Sequence, residues 1–215
     1  MTRWVHSGTG ESGLDVPVDT NGNGNGGEGP YPENEGALPI HTKQIGLWAF
    51  LATATMLFAG FSSAYIARRA GADWQPIRMP PILWFNTVIL IASSVTMEIA
   101  RRQLKRWATE ALQRWLLITA GLGLVFLIGQ YIAWRQLQAQ GIYLPTNPHS
   151  SFFYLLTAVH ALHLFGGLVA LIVVFLRARR GVYTPYHPGV GLAATYWHFV
   201  DIVWIYLFGL LFYLG

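Results

Sequence analysis

The chain has 215 residues, of which 53% are apolar, 14% aromatic and 11% charged. A soluble domain is typically about a quarter charged, so there is too little polar surface to cover a water-soluble globule, and lipid must solvate much of the chain. Cysteine is absent, which excludes a disulfide framework, a thiolate metal site and a Cys nucleophile. The net charge of +4 sits at the ends of apolar runs, where it sets topology, and no basic stripe suggests a nucleic-acid partner.

Residues 1–40 read as a separate regime, a Gly/Asn-rich acidic tail. The run from Thr20 to Gly27 is low-complexity and cannot bury enough apolar area to offset the entropy of ordering. Its repeated glycines do not make a phosphate loop, because no strand precedes them and no helix with a Lys follows. The tail has six acidic residues and Arg3, and it lacks the apolar core of a signal peptide. The first hydrophobic helix is therefore expected to act as an uncleaved signal.

Five apolar stretches follow, at roughly 44–67, 83–100, 115–134, 151–176 and 193–214. A hydrocarbon core of ~30 Å needs about 20 helical residues, and the alternation expected of barrel strands is missing. Prolines fall in the connections, at Pro80, Pro81, Pro145, Pro148, Pro185 and Pro188. The expected fold is all-α, a polytopic bundle of five transmembrane helices over residues 41–215.

Lys and Arg set the orientation. The side shared by the tail and the second and fourth connections holds ten of them, namely Arg3, Lys43, Arg101, Arg102, Lys105, Arg106, Arg114, Arg177, Arg179 and Arg180. The other side holds four, Arg68, Arg69, Arg78 and Arg135. The N-terminus is expected inside and the C-terminus outside.

Ionisable residues inside a span cost about 2.5–3.5 kcal/mol or more at its centre, so each needs a partner or a purpose. His160 and His163 are three apart on the fourth span, and His198 and Asp201 three apart on the fifth, so each pair shares a helix face. Counting ~1.5 Å per residue places His163 level with Asp201, where an imidazole and a carboxylate would form a charge-assisted hydrogen bond. Three imidazoles and a carboxylate also suit a zinc or iron site. A third reading is a proton relay. The fourth is a polar cluster that fixes helix packing and anchors a lipid or a neighbouring subunit.

Other residues have plainer readings. Glu98 sits beside Arg101 and Arg102 in a solvated ion pair. Gln130 is expected to hydrogen-bond a neighbouring helix, and Gly60, Gly166 and Gly167 to permit close helix approach. Trp74, Trp84, Trp107, Trp115 and Trp134 read as interfacial belts. A self-contained transporter using the His/Asp cluster is the competing class, although neither an internal repeat nor a Pro-broken helix supports it.

The run Thr157-Ala158-Val159-His160-Ala161-Leu162-His163, followed by Gly166-Gly167, resembles the fourth-helix signature of haem–copper oxidase subunit III. Tyr196-Trp197-His198-Phe199-Val200-Asp201-Ile202-Val203-Trp204 is similar to that family's C-terminal signature, and Asn86-Thr87 with Ala92-Ser93 to another of its motifs. The resemblance spans about His41 to Gly215 and is that of a short, five-helix bacterial form; longer members have seven helices. It implies a subunit that itself binds no haem, copper or other metal and has no catalytic residues. Such a subunit packs against oxidase subunit I and other oxidase subunits in the bacterial inner membrane, holds structural phospholipids and supports proton uptake. Subunits of this kind also accompany quinol oxidases and nitric oxide reductases. The resemblance further assigns His160, His163, Trp197, His198 and Asp201 to a structural or lipid-contacting cluster, and Arg177 to lipid headgroups. Two family carboxylates are missing, because Ala54 and Ala133 stand at their positions.

Overall fold

The computed structural model describes residues 40–74, 77, 79–106, 108–180 and 189–214. The Gly/Asn-rich tail and Trp107 lie outside them. The described residues form five helices and no strand: α1 (Ile40–Arg68), α2 (Ile82–Lys105), α3 (Thr109–Ala139), α4 (Pro148–Arg179) and α5 (Gly189–Leu214). All five are long and apolar enough to cross a membrane.

The helices outrun the apolar stretches that mark them. At 31 residues, α3 is about 46 Å long. Its polar ends, Glu110-Ala111-Leu112-Gln113-Arg114 and Gln136-Leu137-Gln138, are good helix formers, so backbone hydrogen bonding continues where hydropathy falls. α3 stops at Gly141, whose φ of +75° suits a residue without Cβ. There the Ile142 N–H donates to the Leu137 carbonyl and the Gly141 N–H to the Gln138 carbonyl, both at 3.0 Å, closing the helix end. α4 begins with a capping box. The Asn147 side chain accepts from the Ser150 N–H at 2.9 Å, the Ser150 hydroxyl accepts from the Asn147 N–H at 3.2 Å, and Pro148 occupies the first turn.

Packing follows the stripes. α2 packs on α3, α3 on α4, α4 on α5 and α5 on α2, which closes a ring of four helices. Of the other described helices, α1 packs against α4 and α5 only. Its buried residues Leu51, Ala54, Phe58, Ser62 and Tyr65 recur at three- and four-residue intervals, a single narrow stripe. At one end of the bundle Tyr65 of α1 packs edge-on to Trp74 in the α1–α2 connection, and Trp74 stacks on His149 of α4 at 4.8 Å between ring centroids. The Ile77 N–H donates to His149 Nδ1 at 3.1 Å, so one imidazole joins α4 to the α1–α2 connection.

Candidate functional site

Short polar contacts set the register of the ring. Trp197 Nε1–H on α5 donates to Ser93 Oγ on α2 at 3.1 Å, and two turns further along Trp204 Nε1–H donates to Thr87 Oγ1 at 3.0 Å. Both indoles are buried, where a Trp N–H needs an acceptor. Across α2 and α3 the Thr96 and Thr119 hydroxyls meet at 2.8 Å. Across α3 and α4 Trp134 Nε1–H donates to Thr157 Oγ1 at 3.0 Å. In place of apolar burial, which lipid would supply equally well, hydroxyl–indole bonds select these neighbours.

Glycines admit the large rings. A Cβ on Gly167 would stand 2.9 Å from Tyr196 Cε1 and 3.3 Å from the Trp197 ring, and one on Gly123 would stand 2.8 Å from Trp197. Gly129 is tighter still, with the Asn86 side chain occupying the place of a Cβ. Gly166 is looser, its nearest neighbour being the Tyr196 hydroxyl at 3.8 Å. Among the described residues Gly60 does not serve close approach, because a Cβ there meets nothing within 4 Å. Nothing in the local sequence separates Gly123 and Gly129 from Gly60, although small residues in an apolar helix are the usual sign of such contacts.

The histidines of α4 diverge. Three residues turn a helix by about 300°, leaving side chains some 60° apart. His160 is fully buried within the ring of four, its imidazole 4.9 Å from Trp204 and 5.8 Å from Phe126 between ring centroids, with no hydrogen-bond partner for either nitrogen among the described residues. His163 is half-buried and points to α1, with Nδ1 2.8 Å from the Val159 carbonyl and its ring against Phe58 and Phe50.

Asp201 is buried, with neither carboxyl oxygen completing a hydrogen bond. Gly167 against Trp197 and His160 against Trp204 set the register of α4 and α5. Moving four residues along each helix from the first pair brings position 163 opposite position 201. The expected level is therefore reached, but the His163–Asp201 hydrogen bond is not formed, because the imidazole turns toward α1. Gln130 is also buried without a partner, so its expected bond to a neighbouring helix is not made.

His198 makes the polar link that spacing did not reveal. Its Nδ1 lies 2.6 Å from Ser94 Oγ on α2, and its Nε2 lies 4.0 Å from Glu98 Oε2. Glu98 accepts from Arg101 at 2.8 Å and from Arg102 at 3.1 Å, so the expected ion pair is present with a third member. Arg177 is exposed in the last turn of α4. Among the described residues no three His, Asp or Glu side chains gather to hold an ion.

Ser93, Ser94, Thr87, Trp204 and His149 also make polar contacts between elements, which helical spacing alone does not mark. Trp134, expected as an interfacial belt residue, directs its N–H to Thr157.

A family model described as cytochrome c oxidase subunit III matches residues 36–215, which include all five helices. The probable cytochrome c oxidase subunit 3 of Mycobacterium bovis is 36% identical over 176 residues, covering 79% of this chain and 87% of that protein. The cytochrome c oxidase subunit 3 of Thermostichus vulcanus is 37% identical over 179 residues, covering 79% and 86%. That of Bacillus sp. strain PS3 is 30% identical over 189 residues, covering 86% and 91%. With a match over most of its length and relatives above 30% identity, this five-helix, multi-pass membrane chain belongs to the cytochrome c oxidase subunit III family.

Proposed function

We propose that this chain is the accessory, non-catalytic subunit of a proton-pumping haem–copper terminal oxidase in a bacterial plasma membrane, with its N-terminus inside and its C-terminus outside. Haem and copper are assigned to partner subunits. The chain packs against oxidase subunit I, binds phospholipid near Arg177 and shapes the surroundings of proton uptake.

The observation that carries this reading is the divergence of the ionisable groups. His160 faces the interior of the ring, His163 faces α1, and His198 faces Ser94 and Glu98. A redox or hydrolytic centre needs such groups to converge on one reacting atom. In this chain they serve different helix contacts, as expected of a scaffold. The Arg-bearing ends of α2 and α4 suit the phosphates of an anionic leaflet.

Purified oxidase with and without this chain tests the assignment. Removing the chain should leave oxygen reduction intact over the first turnovers and shorten the enzyme's working life. Complete loss of oxygen reduction from the outset, with haem and copper retained in the remaining subunits, would count against an accessory role.

A further inference from the structure

Contacts between neighbouring helices level the four members of the ring against one another. Asn86 of α2 fills the place of a Cβ at Gly129 of α3, which sets it level with Gln130. Trp204 of α5 meets Thr87 of α2 at 3.0 Å and packs on His160 of α4 at 4.9 Å between ring centroids. A Cβ on Gly123 of α3 would stand 3.9 Å from Leu168 Cδ1 of α4. Moving seven residues along each of these antiparallel helices brings Gln130 opposite position 161, next to His160. Phe126, one turn before Gln130, touches both rings, 5.8 Å from His160 and 4.8 Å from Trp204. One layer of the ring therefore takes Asn86 from α2, Gln130 from α3, His160 from α4 and Trp204 from α5.

Three of these four side chains are polar and at most 1% exposed, and none of their six nitrogen and oxygen atoms has a hydrogen-bond partner among the described residues. Buried polar atoms find a partner in protein or in ordered water, because leaving several unmet would consume much of a protein's stability. Packing holds them away from direct pairing. Asn86 is seated against Gly129, the His160 ring lies against Phe126 and Trp204, and the only donor of Trp204 is committed to Thr87.

We propose that Asn86, Gln130 and His160 bind a cluster of internal water at the centre of the four-helix ring. The layer contains neither a carboxylate nor a cation, so it offers no counter-charge to an ion, and a neutral ligand fits it. Two amides and an imidazole present donors and acceptors together, which a molecule that both donates and accepts can satisfy. An internal water makes about three hydrogen bonds, so six atoms call for about two waters. The cluster joins α2, α3 and α4 through the interior, whereas the hydroxyl–indole bonds join helices pair by pair. The site concerns this chain's own core and does not depend on the oxidase assignment.

Electron cryo-microscopy of the assembled complex, at a resolution that shows ordered water, tests the site. Water peaks are expected within about 3.2 Å of the Asn86 and Gln130 amides and the His160 ring. Q130L, which removes two of the six polar atoms, should lose part of the cluster. A dry layer in the unaltered complex would overturn the proposal, as would side chains bonded directly to one another or a full cluster retained in Q130L. Radiolytic hydroxyl labelling of the unaltered complex gives a second reading that needs no variant. Phe126 and Phe153 are equally buried, but only Phe126 touches the layer, and Phe153 lies two turns from His160 along α4. Radicals form where water is held, so Phe126 should be oxidised roughly tenfold faster than Phe153. Equal labelling of the two rings would count against bound water.

Discussion

Gly60 and Gly129 show how much the sequence conceals at the scale of a single residue. Both are glycines within apolar helices and are alike to a reader of composition. Gly60 faces open space, whereas the Asn86 side chain fills the place of a Cβ at Gly129. G60A should be neutral or stabilise the chain by up to about 1 kcal/mol through helix propensity. G129A should cost about 1–3 kcal/mol, because Asn86 must move within a packed interior. Denaturant titration of both variants in the same detergent checks the contrast, and equal effects would contradict the packing. His163 and Gln130 teach the same point. Spacing located His163 at the level of Asp201, but the direction of its ring depends on Phe50 and Phe58, more than a hundred residues earlier in the chain. Gln130 was legible as buried and polar; nothing local announces which group it fails to reach.

Helix ends, at the scale of the element, were written in turn chemistry more than in hydropathy. Apolar runs located every helix, yet α4 starts at Pro148 because Asn147 and Ser150 cap each other. N147A should lower the stability of this end by ~1 kcal/mol, seen as faster amide exchange over residues 149–152 with little change near residue 170. Uniform acceleration along α4 would indicate a global effect instead of a lost cap. The two-turn spacing of Trp197 and Trp204 was visible as a motif, but their acceptors Ser93 and Thr87 were legible only as family resemblance. A hydroxyl on one helix carries no mark of the indole it will meet on another.

The number of spans, across the whole molecule, follows from composition, because lipid imposes a length on every helix that crosses it. Which helices adjoin does not follow, since lipid and protein interior are equally apolar and hydropathy cannot tell an inward stripe from an outward one. The closed ring of α2 to α5, with α1 outside it, is therefore a product of side-chain fit. The proposed orientation is testable because the chain has no native cysteine. A single cysteine placed at Thr146, between α3 and α4, should react with an impermeant maleimide added to intact cells. One placed at Ala108, between α2 and α3, should react only after the membrane is opened. The reverse pattern would invert the topology.

The peripheral seat of α1 has a consequence for biosynthesis. Its partners are α4 and α5, and α5 ends at Leu214, 146 residues beyond the end of α1 at Arg68. At ~5–20 residues per second, that interval keeps α1 waiting for roughly 7–30 seconds beside lipid or insertion machinery before its docking groove exists. A span made early is thus among the last to find its place, and a pause in translation between α3 and α4 would lengthen the time it spends as an orphan.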